Sequence, residues 1–425
     1  MRSVDLTNRK QVVVMFPYPS GSGMHVGHVY NYAIIDSYCR YLRYIGKDAF
    51  QPFGYDSFGL PAENYAKKVG RDPKEVTEEN IENFRKQMIQ MNTNYEELLV
   101  TSSEEYQKHT QWLFLELYKK GLAYKAYGVQ DYCNECETVL AREQVIDSKC
   151  ERHGIPVEKR ELEQWYFKIT DYTERLINNI KSGKSGLPTK TANAQLKWLE
   201  NQHDWCVSRQ RDWGCKIPID GETDTLDTFV DSSFYYIIYQ ILKGFKPKPI
   251  DLYVGGSEHA CMHLIYARFI CMFLYDIGFI DFEEPFLKVI HQGMILNDGE
   301  KMSKSKGNVV SLDNYDSDTI RFYLMFLGHY FDGGSWNDNN IKGITRFINK
   351  MNTWLSESGD ENIDLTKFKE TIFNYTESFK FNKVVSEFMI LLNNNKDKKL
   401  SIESKSEILD LLEIYMPSIK NKIII

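Results

Sequence analysis

A chain of 425 residues, 42% hydrophobic and 26% charged, is too long for one small module and too ordinary in composition for a disordered or fibrous protein. Eight cysteines over this length make no disulfide framework, and no apolar run approaches the roughly 20 residues that span a bilayer. The net charge of −7 gives no global attraction for nucleic acid, although a local basic groove is compatible with it. The polar start, residues 1–10, lacks the apolar core of a secretory signal, so a cytoplasmic protein with no membrane part is expected.

In chain order, residues 11–16 (QVVVMF) are a largely β-branched run halted by Pro17 and Pro19, which reads as a buried strand entering a loop. Residues 24–44 carry apolar side chains at helical spacing and run to Gly46, suited to a left-handed cap. Helices are expected over 77–99 and 104–120, and residues 133–153 interrupt the pattern as a small module. Strand signals return near Phe229, at 252–254 and at 286–291, with helices between them. Beyond Asn339 helical patterns dominate, at 344–355, 370–393 and 404–414. Such alternation predicts an α/β fold with a parallel sheet, an insertion and a helical C-terminal part.

Four groups of residues carry chemistry. His25, Val26, Gly27 and His28 stand where a strand and a Gly-rich loop open a helix, a setting that favours anions because helix-start N–H groups point at the ligand. Both histidines can face one phosphate group, or they are a pair of surface histidines. Lys301, Met302, Ser303, Lys304 and Ser305 form a compact basic loop late in the chain, which by itself also reads as a solvated charge run. Cys133 and Cys136, then Cys150 and His153, supply four soft or borderline ligands at finger-like spacing, which favours structural zinc over free core cysteines. His259 and His263, spaced i, i+4 on a predicted helix, could chelate a metal or pack, and no third ligand is evident.

The pairing of H-x-G-H near the start with K-M-S-K-S late in the chain resembles the paired signatures of class I aminoacyl-tRNA synthetases. The stretches MFPYPSG, QPFGYDSFGLPAEN, VSRQRDWGC, ETDTLDTFVDSS, DLYVGGSEHACMHLIYARF and KMSKSKGN extend the resemblance to the leucyl-tRNA synthetases, from about Met15 to Trp336. The resemblance implies a Rossmann-type catalytic domain divided as 1–125 and 205–332. It also implies an insertion with a zinc module at 126–204 and a shortened, anticodon-binding-like helical domain at 333–425. It implies ATP and Mg2+, leucine activated to leucyl-adenylate, and transfer to tRNA(Leu), with His25, His28, Lys301 and Lys304 catalytic.

By the same resemblance Gly27, Gly255, Gly256, Glu258, Met302, Ser303 and Ser305 bind ATP. Met15, Tyr18, Asp56, Phe229, Tyr235, Tyr253, His259 and His263 form the amino-acid pocket, with Asp56 holding the ammonium. The chain departs from the family in having only about forty residues between Trp165 and Trp205, where most members carry a large editing domain. It also has Tyr30, Phe234 and Lys216 where the family often has arginine, tryptophan and proline. Its short, nearly neutral tail keeps open a non-tRNA acceptor: a carrier protein, peptide or small amine.

Overall fold

The structure is a computed structural model and describes residues 9–19, 23–140, 144–151, 153–297, 299–302 and 308–422. Its centre is a parallel sheet in the spatial order Val289–Ile290, Leu252–Val254, Lys10–Val14, Ala49–Phe50. Val12, Val13 and Val14 pair with Leu252, Tyr253 and Val254. A strand covered on both faces needs the continuous β-branched run that opens this chain. The parallel pair Pro52–Tyr55 and Glu96–Val100 continues the architecture alongside.

From the first strand the chain moves to one side, through the helix Val26–Tyr44 to Ala49–Phe50, and later returns to the other side at Leu252–Val254. The crevice where the strand order reverses therefore opens beyond the carboxyl ends of Lys10–Val14 and Leu252–Val254, the usual ligand position in an open α/β sheet.

Between Ala123 and Phe167 the chain leaves this sheet as an antiparallel ribbon, Ala123–Cys133 against Glu158–Phe167, in register from Ala123 with Phe167 to Tyr132 with Glu158. The cysteine module hangs at its far end. Two helices, Thr173–Lys181 and Thr189–Leu199, lead back to the strand Trp205–Cys206 beside the ribbon. Their connecting loop docks on the core sheet: Val289 N–H donates to Gly186 O at 2.8 Å, and Gly186 has φ 65° with no room for a Cβ against Phe286 O.

The helices Asp338–Ser356, Thr366–Glu377, Phe381–Asn395 and Ile402–Glu413 form the C-terminal bundle, continuous in its core with the first helix. Arg321, on the helix Ser317–Phe326, fastens it. The guanidinium is fully buried, pairs with Asp36 at 2.7 Å and donates to the carbonyls of Met91 and Tyr415.

Three sequence expectations need correction. The helix expected over 77–99 is Pro73–Gln90, started by the Asp72 cap, and Glu96–Val100 is a strand; Asn92, at φ 48°, turns the chain between them. Phe229 lies in the short helix Thr228–Ser232, whose first turn Asp227 caps, and not in a strand. The helix expected over 370–393 is two, parted at Phe379, whose φ of 56° no helix accommodates.

Candidate active site

The loops that follow the parallel strands converge on a cavity of about 270 Å³. Lys10–Val14 delivers Met15 to Tyr18, Pro52–Tyr55 delivers Asp56, Leu252–Val254 delivers Gly255 to His259, and Val289–Ile290 delivers Gln292. Hydrogen bonds lock these loops together: Met15 N–H donates to Val254 O at 2.8 Å and Asp56 N–H to Pro17 O at 3.0 Å. A Cβ at Gly255 would stand 2.0 Å from the Met15 sulfur, so any larger residue there would displace the Met15 side chain.

His25 is the N-cap of the first helix. Its Nδ1 accepts from Gly27 N–H at 3.1 Å, while His28 Nδ1 accepts from His25 N–H at 3.2 Å, a reciprocal capping box built from two imidazoles. With both Nδ1 atoms accepting, the neutral rings carry their protons on Nε2, which are donors. His28 lines the cavity and His25 packs 4.1 Å from it, centroid to centroid.

Asp56 is 3% exposed. Thr228 donates to its Oδ1 at 2.9 Å, Tyr18 and Ser232 also hydrogen-bond it, and among the described residues it has no cationic partner. Burial, assisted by the neighbouring Asp227 charge, pushes its carboxyl up to about 7 against the hydroxyl hydrogen bonds that oppose the shift. Asp227 itself is paired with the buried Arg209. A desolvated carboxylate held by hydroxyls, facing an open cavity, is an arrangement that an ammonium completes.

The far wall is a relay. Phe16 N–H donates to Tyr235 Oη at 3.3 Å, the Tyr235 and Tyr253 hydroxyls meet at 2.5 Å, and Tyr253 stands 2.6 Å from His263 Nε2. Burial holds His263 down to about 3, so the ring is neutral and shares a hydrogen bond with the Tyr253 hydroxyl.

Of the amino-acid-pocket residues, Met15, Tyr18, Asp56, Phe229, His259 and His263 line the cavity, whereas Tyr235 and Tyr253 stand behind it and orient His263. Gly255, Gly256 and Glu258 line its other side. His259 closes a short 3-10 turn, and His263 opens the following helix His263–Asp276. The two are therefore not one helical turn apart on a common helix, and their rings are perpendicular at 6.2 Å.

Lys301 ends a two-residue strand and Met302 is buried in the core, while Ser303, Lys304 and Ser305 lie outside the described residues. Just beyond that loop, Val310 O accepts from Val26 N–H at 3.4 Å, so the segment leaving the basic loop touches the start of the histidine helix. Sequence reasoning missed Asn31, Tyr32, Thr228, Ser232 and Gln292 in the lining or at Asp56. Thr228 and Ser232 are i, i+4, a visible helical signal once Asp227 is read as a cap.

The departures from the family pattern are packed elsewhere. Tyr30 is buried and donates to Tyr330 O at 3.0 Å, Phe234 is buried against Tyr106, and Lys216 Nζ donates to Thr223 O at 3.1 Å.

At the end of the ribbon, one ligand atom each from Cys133, Cys136, Cys150 and His153 lies within 4.8 Å of the others. Cys136 Sγ is 3.3 Å from His153 Nδ1 and 3.7 Å from Cys150 Sγ, and His153 Nδ1 is 3.8 and 3.9 Å from Cys133 and Cys150. Tetrahedral zinc with its usual bond lengths sets such ligands roughly 3.4–3.8 Å apart, so this donor set fits the ion. It is the one such cluster of three or more His, Cys, Asp or Glu among the described residues.

The family model for class I tRNA synthetases (I, L, M and V) matches residues 4–244 and 220–335. The leucine–tRNA ligase of Clostridium kluyveri is 30% identical over 678 residues, covering 95% of this chain and 84% of the ligase. That of Clostridium perfringens strain 13 is 29% identical over 689 residues, covering 96% and 84%. Among solved structures, the agnB2 LeuRS of Agrobacterium radiobacter K84, in a ternary complex with tRNA and LeuAMS, aligns with a TM-score of 0.83 at 25% identity, covering 96% of this chain and 84% of that one. The methionyl-tRNA synthetase of Mycobacterium tuberculosis shares the fold at a TM-score of 0.77 and 19% identity, covering 98% and 93%. With the crevice, the histidine-capped helix and these matches in one chain, it belongs to the class I tRNA synthetases, as an amino-acid-adenylating ligase similar to the leucine–tRNA ligases.

Proposed function

We propose that the chain activates leucine with ATP and transfers it to the 3′ end of tRNA(Leu), without an editing step. The observation that carries this is Asp56: a buried carboxylate that has no cationic partner among the described residues, in a cavity lined also by Met15, Phe229 and His28 of the histidine-capped helix.

In this reading Asp56 binds the leucine ammonium, and Met15, Phe229, His259 and His263 enclose the side chain. A leucine carboxylate oxygen attacks the α-phosphorus, a P–O bond forms, and the bond to the β-phosphate breaks to release pyrophosphate. No protein nucleophile is needed, so catalysis is positioning and charge stabilisation. His25 and His28 donate Nε2–H to phosphoryl oxygens, Lys301 and Lys304 supply positive charge, and Mg2+ enters with ATP as part of the substrate. Gly27, Gly255, Gly256 and Glu258 seat the nucleotide, with Ser303 and Ser305 from the basic loop, and Met302 anchors that loop from the core. A terminal ribose hydroxyl then attacks the adenylate carbonyl and AMP leaves.

Zinc bound by Cys133, Cys136, Cys150 and His153 would be structural, since four protein ligands leave no position for a reacting water. The domain limits 1–125, 126–204, 205–332 and 333–425 are part of the same reading. The absence of editing draws support from alignment length: 678 residues aligned to the C. kluyveri ligase outrun this 425-residue chain, so the ligase has a stretch without counterpart here. A pocket that sorts side chains by one methylene gains only about 1–3 kcal/mol. Measurable mischarging with isoleucine or valine therefore accompanies this reading.

Amino-acid-dependent ATP–pyrophosphate exchange across the twenty amino acids, followed by charging of total tRNA, tests it. Leucine exchange with RNase-sensitive charging is the expected result. Exchange without charging would remove tRNA as the acceptor, and no exchange would remove the reading altogether.

A further inference from the structure

The helix Thr189–Leu199 lies outside the core sheet, in the segment between the ribbon and Trp205, yet it reaches the loop that lines the Asp56 cavity at two points. Thr191 and Gln195 stand one turn apart on one face of that helix, and both are buried, at 3% and 0% exposure. The Thr191 hydroxyl lies 2.7 Å from His291 Nε2, and His291 Nδ1 lies 2.8 Å from Gly255 O. A carbonyl only accepts, so Nδ1 carries the proton. Burial lowers the pKa of this imidazole, so the ring is neutral and its Nε2 accepts from Thr191.

Gln195 makes the second contact. Its Nε2 donates to Ala260 O at 2.7 Å while its Oε1 accepts from Arg268 Nη1 at 2.8 Å. Arg268 only donates and the carbonyl only accepts, which fixes the orientation of the amide between them. Arg268 is fully buried, forks onto Glu284 at 2.8 and 2.6 Å and donates to Leu176 O at 3.0 Å. Gly255 and Ala260 are the two ends of the loop, and Gly256, Glu258 and His259 between them line the cavity. Four residues of α-helix rise about 6 Å, a spacing that the helix backbone keeps. A helix anchored at both loop ends therefore sets their separation, and with it the reach of Glu258 and His259 into the cavity.

We propose that Thr191, His291 and Gln195 are positioning residues for adenylate formation, bracing the Gly255–Ala260 loop from outside the sheet. This rests on the reading of the cavity as the adenylation site, and it does not depend on which amino acid is activated. None of the three lines the cavity, so they act through Glu258 and His259. The segment between the ribbon and Trp205 thereby takes part in activation, separately from the cysteine module.

Three substitutions in the full chain separate the brace from the fold. Gln195→Glu keeps an acceptor for Arg268 and removes the donor to Ala260 O. Thr191→Val removes the hydroxyl, and Thr191→Ser keeps it. Each variant is followed by ATP–pyrophosphate exchange with titrated active sites, using the amino acid that the wild type activates, and by hydrogen exchange of ligand-free peptides covering residues 255–260. Gln195→Glu and Thr191→Val should raise the KM for ATP and lower kcat/KM about fivefold or more, the effect of losing about one net hydrogen bond. They should also speed hydrogen exchange at 255–260 several-fold and leave the ribbon strand Glu158–Phe167 unchanged. Thr191→Ser should behave as the wild type. If Gln195→Glu does not fold, the Thr191 pair carries the test. A purely structural loss lowers the active fraction and leaves KM where it is, so an unchanged KM overturns the proposal. Unchanged hydrogen exchange in the loop, or a Thr191→Ser variant as impaired as Thr191→Val, overturns it as well. No pyrophosphate exchange by the wild type would remove the adenylation reading and this proposal with it, whereas an active wild type matched by its variants removes the brace alone.

Discussion

Asp36 and Asp56 are two aspartates equally withdrawn from water and opposite in design. Asp36, at the join between the first helix and the C-terminal bundle, meets Arg321 at 2.7 Å, Arg40 at 2.8 Å and the Asn94 N–H at 2.8 Å. Those partners outweigh its burial and hold its carboxyl below the usual range. Among the described residues Asp56 receives hydroxyls and no cation, and its carboxyl rises to about 7. At the joint the fold closes the charge with its own cations; at Asp56, among the described residues, it leaves the charge open to the cavity. The difference lies in the partners, because the burial is nearly the same.

The same substitution at both positions tests this most severely. Asp36→Asn leaves the Arg321 guanidinium buried without its counter-charge, which costs about 3–5 kcal/mol in comparable pairs. Urea unfolding should register that loss, and an unchanged midpoint would mean that the joint is not electrostatic. Asp56→Asn should lose no stability at pH 8, because it removes a desolvated charge, yet it should weaken leucine. Loss of one partner of a buried, hydrogen-bonded charge pair costs about 2–5 kcal/mol, roughly 30-fold to several thousand-fold in leucine kcat/KM. If Asp56→Asn proved the less stable protein and bound leucine normally, the two sites would have been assigned the wrong way round.

The sequence made the local half of this legible. A β-branched run, two prolines, a Gly-rich loop and two histidines three apart lie within residues 11–28, and each acts through its immediate neighbours. The capping box is the same two histidines seen with a backbone attached. The non-local half was not legible. Arg321 and Asp36 are 285 residues apart, and Phe16 reaches the Tyr235 hydroxyl across 219 residues. Thr228 and Ser232 were hidden for another reason: Phe229 and Val230 read as a strand until Asp227 is seen as the cap that starts a helix there.

The pH dependence of leucine binding sharpens the comparison at smaller amplitude. A carboxyl raised to about 7 in the folded chain stays protonated below that pH, and an ammonium must displace the proton to bind. Apparent leucine affinity should therefore fall about tenfold per unit as pH drops below 7, the equivalent of about 1.4 kcal/mol per unit. Stability should run the other way. The unfolded carboxyl ionises from about pH 4 while the folded one holds its proton, so the Asp56 contribution is greatest below about 4 and is lost as pH rises toward 7. The Asp36 contribution has the reverse sign and is lost only in acid, as pH falls through its lowered value. Leucine titrations between pH 5.5 and 8 by calorimetry check the first point, and Asp56→Asn should flatten the profile.

The smallest effect belongs to the wall opposite Asp56. Tyr253→Phe removes the hydroxyl between Tyr235 and His263 Nε2 and leaves every ring in place. A net hydrogen bond is worth about 1 kcal/mol, and here the loss is softened because His263 lines a cavity that water can enter. Leucine KM should therefore rise less than tenfold. The change should appear as selectivity, with polar side chains of leucine's size gaining relative to leucine, because His263 would lose its Tyr253 partner and be free to bond a polar group in the cavity. The pH limb set by Asp56 should stay where it is. A limb that moved with Tyr253→Phe would mean that the two walls titrate as one unit, and the division between an open charge and a neutral, internally satisfied wall would fail.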